Sequence, residues 1–237
     1  MITLNKLGKS FDGRLVVNDL SFEASDGAIT GLLGANGAGK TTTLRMICGL
    51  LKPSSGSIHV DGNDSLQNQH SVGALLDHLG LYSRLTVREN LAYFGRLRGI
   101  PPASLNDRVD QIIKVLGLES IANRRTAGFS QGERMKTALG RAILHGPRNL
   151  LLDEPTNGLD ILTVRSLREL LKRLRNEGIC IVFSSHVLDE VRALCDNIVV
   201  IAQGTAAGQG RLAELCSQTR TTSLEDAFVT LTGVREA

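Results

Sequence analysis

The chain has 237 residues, 42% hydrophobic and 22% charged, with a formal net charge of +3. That balance describes a folded chain long enough to bury a sizeable core, and excludes a disordered one. Scattered Lys and Arg, two Tyr, six Phe and no Trp supply neither the basic face nor the stacking aromatics of a nucleic-acid binder, so no nucleic-acid partner is expected.

In chain order, Ile2–Leu7 and Leu15–Ala24 read as β-stretches joined at an Asp12-Gly13 turn. Ala28–Leu33 reads as a buried strand, and it runs into Gly34-Ala35-Asn36-Gly37-Ala38-Gly39-Lys40-Thr41. Thr42 to Cys48 follows as a helix with Leu44, Ile47 and Cys48 on one face. Strand, glycine-rich loop and helix together form a phosphate-binding loop. Its backbone N–H groups turn inward as an anion nest, and the helix aims its positive end at the same point. Lys40 adds a mobile positive charge for the β- and γ-phosphates, and Thr41 offers a hydroxyl to magnesium.

Pro53–Gly56 ends the first helical region, and Ser57–Val60 alternates like a strand. Thr86-Val87-Arg88-Glu89 is a capping box opening a helix to about Arg98, which Gly99-Ile100-Pro101-Pro102 stops. A further helix is expected from Ser104 to Leu116. Ser130-Gln131-Gly132-Glu133 opens another, with Met135, Leu139, Ala142 and Ile143 inward. On residue chemistry alone this is either an ordinary capping box or a second phosphate clamp at a helix N-terminus.

Asn149–Asp153, Ile179–Phe183 and Ile198–Ala202 are continuous apolar runs, the pattern of strands buried on both faces of a largely parallel sheet. Ile161–Asn176, between two of them, is an amphipathic helix. Asp153 and Glu154 stand at a strand's carboxyl end, where ligands sit in open α/β sheets. Asp153 suits magnesium, and Glu154 suits polarising an attacking water. Without the loop, the same pair would read as an acidic strand end capping a helix. His186 also follows a strand directly, as a polar terminus or a ligand-side group.

Cys48, Cys180, Cys195 and Cys216 lie far apart with no C-x-x-C pair, so reduced cysteines are expected, not a disulfide framework or a metal site. Met1–Lys6 lacks the apolar core of a secretion signal, and no stretch approaches the ~18 apolar residues of a membrane span.

Together these motifs resemble the ATP-binding subunits of ABC transporters over nearly the whole chain. The loop at 34–41, the signature helix at 129–133, the carboxylate strand at 150–154 and His186 occur in family order. Asn157-Gly158-Leu159-Asp160 is similar to the loop after the catalytic glutamate, and Phe11 occupies the place of the aromatic that stacks on adenine. The resemblance implies a single α/β domain over 1–237, a P-loop NTPase core with a mostly parallel sheet and an N-terminal antiparallel β subdomain. The core would comprise 1–83 and 147–202, with an inserted helical lobe at 84–146 and a C-terminal tail at 203–237.

It also implies an ATPase using ATP and Mg2+, with Phe11, the loop residues and Thr42 on the nucleotide and Glu154 and His186 at the chemistry. Thr41, Asp153 and Asp77 would hold the metal. Two copies would face each other head to tail, so that Ser130 and Gly132 of one close on the γ-phosphate held by Lys40 of the other, with Asp160 near the seam. Phe129-Ser130-Gln131-Gly132-Glu133 departs from the usual L-S-G-G-Q, bringing the negative Glu133 close to the docking phosphate. Asp77 stands where a glutamine is usual.

The 80–90 region and Ser223-Leu224-Glu225-Asp226-Ala227-Phe228 are similar to prokaryotic exporter ATPases of the sodium-extrusion and drug-efflux types. These imply an integral membrane permease subunit as a separate partner and a place on the cytoplasmic face of the membrane. A cytosolic ABC-type ATPase of iron–sulfur assembly is the rival reading. A GTPase is excluded, because Asn5-Lys6-Leu7-Gly8 lacks the aspartate of a guanine reader and precedes the loop.

Overall fold

The hairpin expected around Asp12-Gly13 forms: β1 (Ile2–Phe11) and β2 (Arg14–Ala24) pair antiparallel, with Phe11 opposite Arg14 at its tip. The structure, a computed structural model, describes residues 1–76 and 80–233. Asp77, expected near the metal, lies outside the described residues. The chain continues through β3 (Ile29–Leu33), α1 (Lys40–Ile47), β4 (Ser55–Val60), β5 (Asn63–Asp64) and β6 (Val72–Leu75). Three helices follow, α2 (Val87–Leu97), α3 (Pro102–Leu116) and α4 (Gln131–Ile143). Then come β7 (Asn149–Asp153), α5 (Ile161–Asn176), β8 (Cys180–Ser185), α6 (Leu188–Leu194) and β9 (Asn197–Ala202). Beyond 202 the chain forms β10 (Thr205–Gly210), α7 (Leu212–Thr219) and α8 (Leu224–Thr232).

One sheet has the order β2-β1-β4-β5 and is antiparallel; the other runs β10-β9-β3-β8-β7-β6. In the second, β9, β3, β8, β7 and β6 are mutually parallel, and only β10 runs against its neighbour. This is the mixed α/β architecture the apolar runs imply. Their continuity has a simple cause. Leu150, Leu152, Ile181 and Phe183 enter an apolar cluster shared with the helices α2–α5. Leu151, Val182 and Val199, on the opposite sheet face, join Leu44, Met46 and Ile47 of α1 and the inner residues of the antiparallel sheet. Both faces are covered, so β3, β7 and β8 are buried at every position.

Helices α2, α3 and α4 pack on one another, and α4 lies on β6. Their N-terminal signals behaved as expected at Thr86 and Ser130, each closing a reciprocal capping box. The start of α3 did not. Pro102, expected as a stop, is its first residue, because the missing N–H of a proline is one the first helical turn leaves unpaired anyway.

Candidate active site

Three neighbouring strands bring the site together. The carboxyl ends of β3, β8 and β7 lie side by side, with Leu33 in register with Ser185 and Asp153 with Ser184. The 34–41 loop leaves the first, His186 the second and Glu154 the third. Sequence-distant groups meet because of that strand order.

Within the loop, Ala35, Asn36 and Gly37 form an exposed crest, while Gly34, Ala38, Gly39 and Lys40 are buried. A side chain at Gly34 would place Cβ 2.5 Å from the Ile201 carbonyl oxygen. Gly39 has φ 105°, and a Cβ there would meet the Val16 carbonyl oxygen at 2.9 Å. Only glycine fits either place. Helix α1 begins at Lys40 with no side-chain cap and no acidic residue in its first turn. Its N-terminal N–H groups are therefore left for an anion, at the helix's positive end. Thr42 is half-buried in that same first turn.

Lys40 is 6% exposed, and its Nζ donates to the carbonyls of Gly34 at 2.7 Å and Ala35 at 3.2 Å. The same ammonium lies 3.3 Å from Glu154 Oε1. The other carboxylate oxygen, Oε2, accepts from His186 Nδ1 at 2.8 Å. Glu154 has φ 46°, a left-handed conformation that costs a non-glycine residue about 1–3 kcal/mol. Its N–H donates to the Ser184 hydroxyl at 3.0 Å and lies 3.2 Å from the Ser184 carbonyl oxygen. These contacts hold the kink that turns the carboxylate away from the strand line. A carboxylate held between an ammonium and an imidazole can accept a proton from a water beside a bound phosphate.

Thr41 Oγ1 donates to Asp153 Oδ2 at 2.7 Å, and the Ser184 hydroxyl donates to Asp153 Oδ1. One hydroxyl and one carboxylate oxygen converge here. Magnesium prefers such hard oxygens and keeps much of its coordination for water and phosphate. Among the described residues no group of three or more His, Cys, Asp and Glu side chains is placed to hold a metal. Thr41 and Asp153 fit a magnesium ion carried with a phosphate substrate.

Ser130, Gly132 and Asp160 form a second cluster. Ser130 caps α4, with its Oγ accepting from Glu133 N at 3.2 Å and its N–H donating to Glu133 Oε2 at 2.9 Å. Glu133 Oε2 also accepts from Arg124 Nη2 at 2.7 Å, and the Arg124 guanidinium lies 4.6 Å from the Phe129 ring centroid. The backbone hydrogen bond from Ser130, with Arg124 behind it, holds the Glu133 carboxyl below its ordinary range. A Cβ on Gly132 would sit 3.1 Å from Thr163 Oγ1. Asp160 caps α5, accepting from Leu162 N and Thr163 N at 3.0 Å and from Thr163 Oγ1 at 2.6 Å. The hydrogen bonds from Thr163 lead in lowering its carboxyl pKa.

Phe11 stands at the hairpin tip, 42% exposed, with Lys9 Nζ 5.0 Å from its ring centroid. Burial pushes the thiols of Cys48 and Cys180 up to about 12, so both are inert at neutral pH, as apolar runs predict.

Three partners escaped the sequence reading. Ser184 joins the Asp153 carboxylate to the Glu154 backbone. Glu190 Oε2 accepts from Thr156 Oγ1 at 2.6 Å and Ser185 Oγ at 3.0 Å, bracing the turns after β7 and β8. Arg124 neutralises Glu133. The pair of serines ending an otherwise apolar strand was the available signal for Ser184.

Against known proteins, residues 17–157 match the ABC transporter family. The chain is 41% identical to the ABC transporter ATP-binding protein NatA of Bacillus subtilis, over 97% of each. It is 32% identical to the linearmycin resistance ATP-binding protein LnrL of the same organism, over 100% of this chain and 77% of that one. It is 36% identical to the bacitracin transport ATP-binding protein BcrA of Bacillus licheniformis, over 86% of this chain and 67% of that one. A solved ATP-binding subunit of an ABC transporter superposes with a TM-score of 0.89 at 28% identity, over 98% of this chain and 99% of that one.

Proposed function

This chain belongs to the ABC transporter family, as an ATP-binding subunit whose ATPase activity, with ATP and Mg2+, drives transport, and from that premise we propose that it is the motor of an export complex. In this reading Lys40, Thr42 and the amides of 34–39 hold the phosphates, and Phe11 stacks on the base. Thr41 and Asp153 hold the metal, with Asp77 as a third oxygen donor. A magnesium ion held there would neutralise phosphate charge. Lys40 exchanges its carbonyl partners for phosphate oxygens, releasing Glu154 to take a proton from the attacking water. His186 keeps Glu154 oriented.

A second copy completes the site head to tail. Ser130 and Gly132 close on the phosphate held by the other chain's Lys40, and Asp160 lies at the seam. What supports this is their placement: Ser130 caps α4, Gly132 faces Thr163 of α5, and Asp160 caps α5 through the same Thr163. Energy from closure passes to a separate integral membrane permease subunit, with this chain on the cytoplasmic face of the membrane. No described helix is long and apolar enough to cross a membrane. A relative named for linearmycin resistance supports an outward direction, since removing a toxin from the cell confers resistance. Residues 84–146 act as a helical lobe within the single 1–237 domain.

The observation that carries the proposal is Glu154, fixed at a strained φ of 46° between Lys40 and His186. Extraction of the tagged chain from its native membrane in mild detergent tests the assembly. An integral membrane protein co-purifying in stoichiometric amount is expected. Iron–sulfur scaffold proteins in its place would overturn the transport reading.

A further inference from the structure

We propose that helix α8 is a wall of the nucleoside pocket, with Phe228 against the base and Thr232 against the ribose of the nucleotide whose phosphates the 34–41 loop holds. The proposal rests on the ATP reading above and names residues that the reading did not use.

A cavity of about 420 Å3 adjoins the loop, within the roughly 300–1,000 Å3 range of small-molecule pockets. Asn36 and Gly37 of the loop line one side, Leu15 and Val16 of β2 another, and Phe228 and Thr232 of α8 a third. Phosphates seated on the loop amides fix where the rest of the nucleotide leaves. A heterocycle continuing from them finds apolar walls here, in Leu15, Val16 and the Phe228 ring. Arg14 also lines the cavity and pairs with Phe11 across the hairpin turn. Phe11, the expected adenine-stacking residue, is thus the strand partner of a residue that lines the space α8 closes.

The helix is built to hold that wall in place. Ser223 caps it, accepting from Asp226 N at 3.1 Å and donating to Asp226 Oδ2 at 2.7 Å. Leu224 and Ala227 are buried, and Phe228 and Leu231 pack against the main apolar cluster. Leu231 approaches β10 so closely that a Cβ on Gly208 would meet its Cδ1 at 2.8 Å. The Phe228 ring is thus presented from a fixed helix. The Thr232 hydroxyl donates to the Phe228 carbonyl at 2.8 Å, which leaves its oxygen lone pairs to accept from a ribose hydroxyl. This gives the Ser223–Phe228 segment, singled out in the sequence, a role in holding the nucleotide.

The test is equilibrium binding of Mg-ATP and of Mg-tripolyphosphate to the full chain and to Phe228→Leu, Phe228→Tyr and Thr232→Ala, each first shown to melt as the parent does. Leucine keeps apolar packing and removes the ring. The expected result is a loss of ATP affinity of about 5- to 10-fold for Phe228→Leu, the scale of one aromatic stacking contact, and rescue by Phe228→Tyr. Tripolyphosphate affinity stays unchanged in all of them, because that ligand has no nucleoside. Unchanged ATP affinity in Phe228→Leu and Thr232→Ala, or equal losses for both ligands, would overturn the assignment while leaving the ATP reading intact. A parent chain that bound neither ligand would remove the ATP reading and the α8 assignment with it.

Discussion

Lys40 Nζ lies 3.3 Å from one oxygen of Glu154 while His186 Nδ1 lies 2.8 Å from the other. The cation proposed to bind phosphate and the proposed base thus share one ion pair. On the proposed mechanism, phosphate draws Lys40 away as Glu154 becomes free to act, so binding and readiness for hydrolysis would be coupled through one ammonium group.

Replacing Glu154 by Gln keeps a hydrogen-bonding side chain of the same size and removes the proton acceptor. ATP binding should persist while turnover falls by roughly 10²-fold or more, the scale of a lost general base. Steady-state phosphate release compared with ATP titration checks it; near-normal hydrolysis would refute the role.

Ser184→Ala removes the hydroxyl shared by Asp153 and the Glu154 backbone. Loss of such a supporting hydrogen bond typically costs about 10- to 100-fold in metal affinity. The magnesium concentration giving half-maximal ATPase activity should rise on that scale, with the ATP dependence at saturating magnesium changed far less.

Glu133 places a carboxylate at the signature, and Arg124 sits on it at 2.7 Å. Glu133→Gln preserves the capping box and removes the charge. A charge at a helix terminus is worth about 0.3–1 kcal/mol, so the ATP concentration for half-maximal turnover should fall by roughly 2- to 5-fold. Arg124→Ala should raise it, and both effects should shrink at high salt. Opposite signs would show that Glu133 assists closure.

His145 Nε2 lies 3.2 Å from the Val72 carbonyl oxygen, joining the segment after α4 to β6, and its Nδ1 is buried with no hydrogen-bond partner among the described residues. Burial first, and the Arg98 guanidinium after it, push this histidine down to about 4. An unfolded histidine titrates near 6.5, so on acidification the unfolded chain takes up a proton that the folded chain refuses. The stability this neutral histidine contributes is full above about pH 6.5 and is lost as pH falls toward about 4. Urea midpoints for His145→Gln should therefore decline less between pH 7 and pH 5 than those of the parent. Parallel declines would contradict the assignment.

Local features were legible in the residues themselves. Periodicity and capping placed α2, α4 and α5 with little error, and the glycines with Lys40 and Thr41 announced the phosphate loop. What stayed hidden was order in space. Nothing in the spacing of Lys40, Glu154 and His186 says that β3, β8 and β7 are neighbours; only the sheet order makes one carboxylate the meeting point. Ser184 and Arg124 escaped for the same reason, since their partners lie 31 and 9 residues away. Phe228 looked like part of a tail, because short apolar segments do not reveal what they cover.

The central claim is that two copies trap nucleotide between them. Light scattering on purified Glu154→Gln protein with Mg-ATP measures this directly, alone and in its native membrane assembly. The account predicts a stable dimer that holds two ATP molecules and dissociates when nucleotide is removed. A nucleotide-bound chain that remains monomeric in both settings would contradict it.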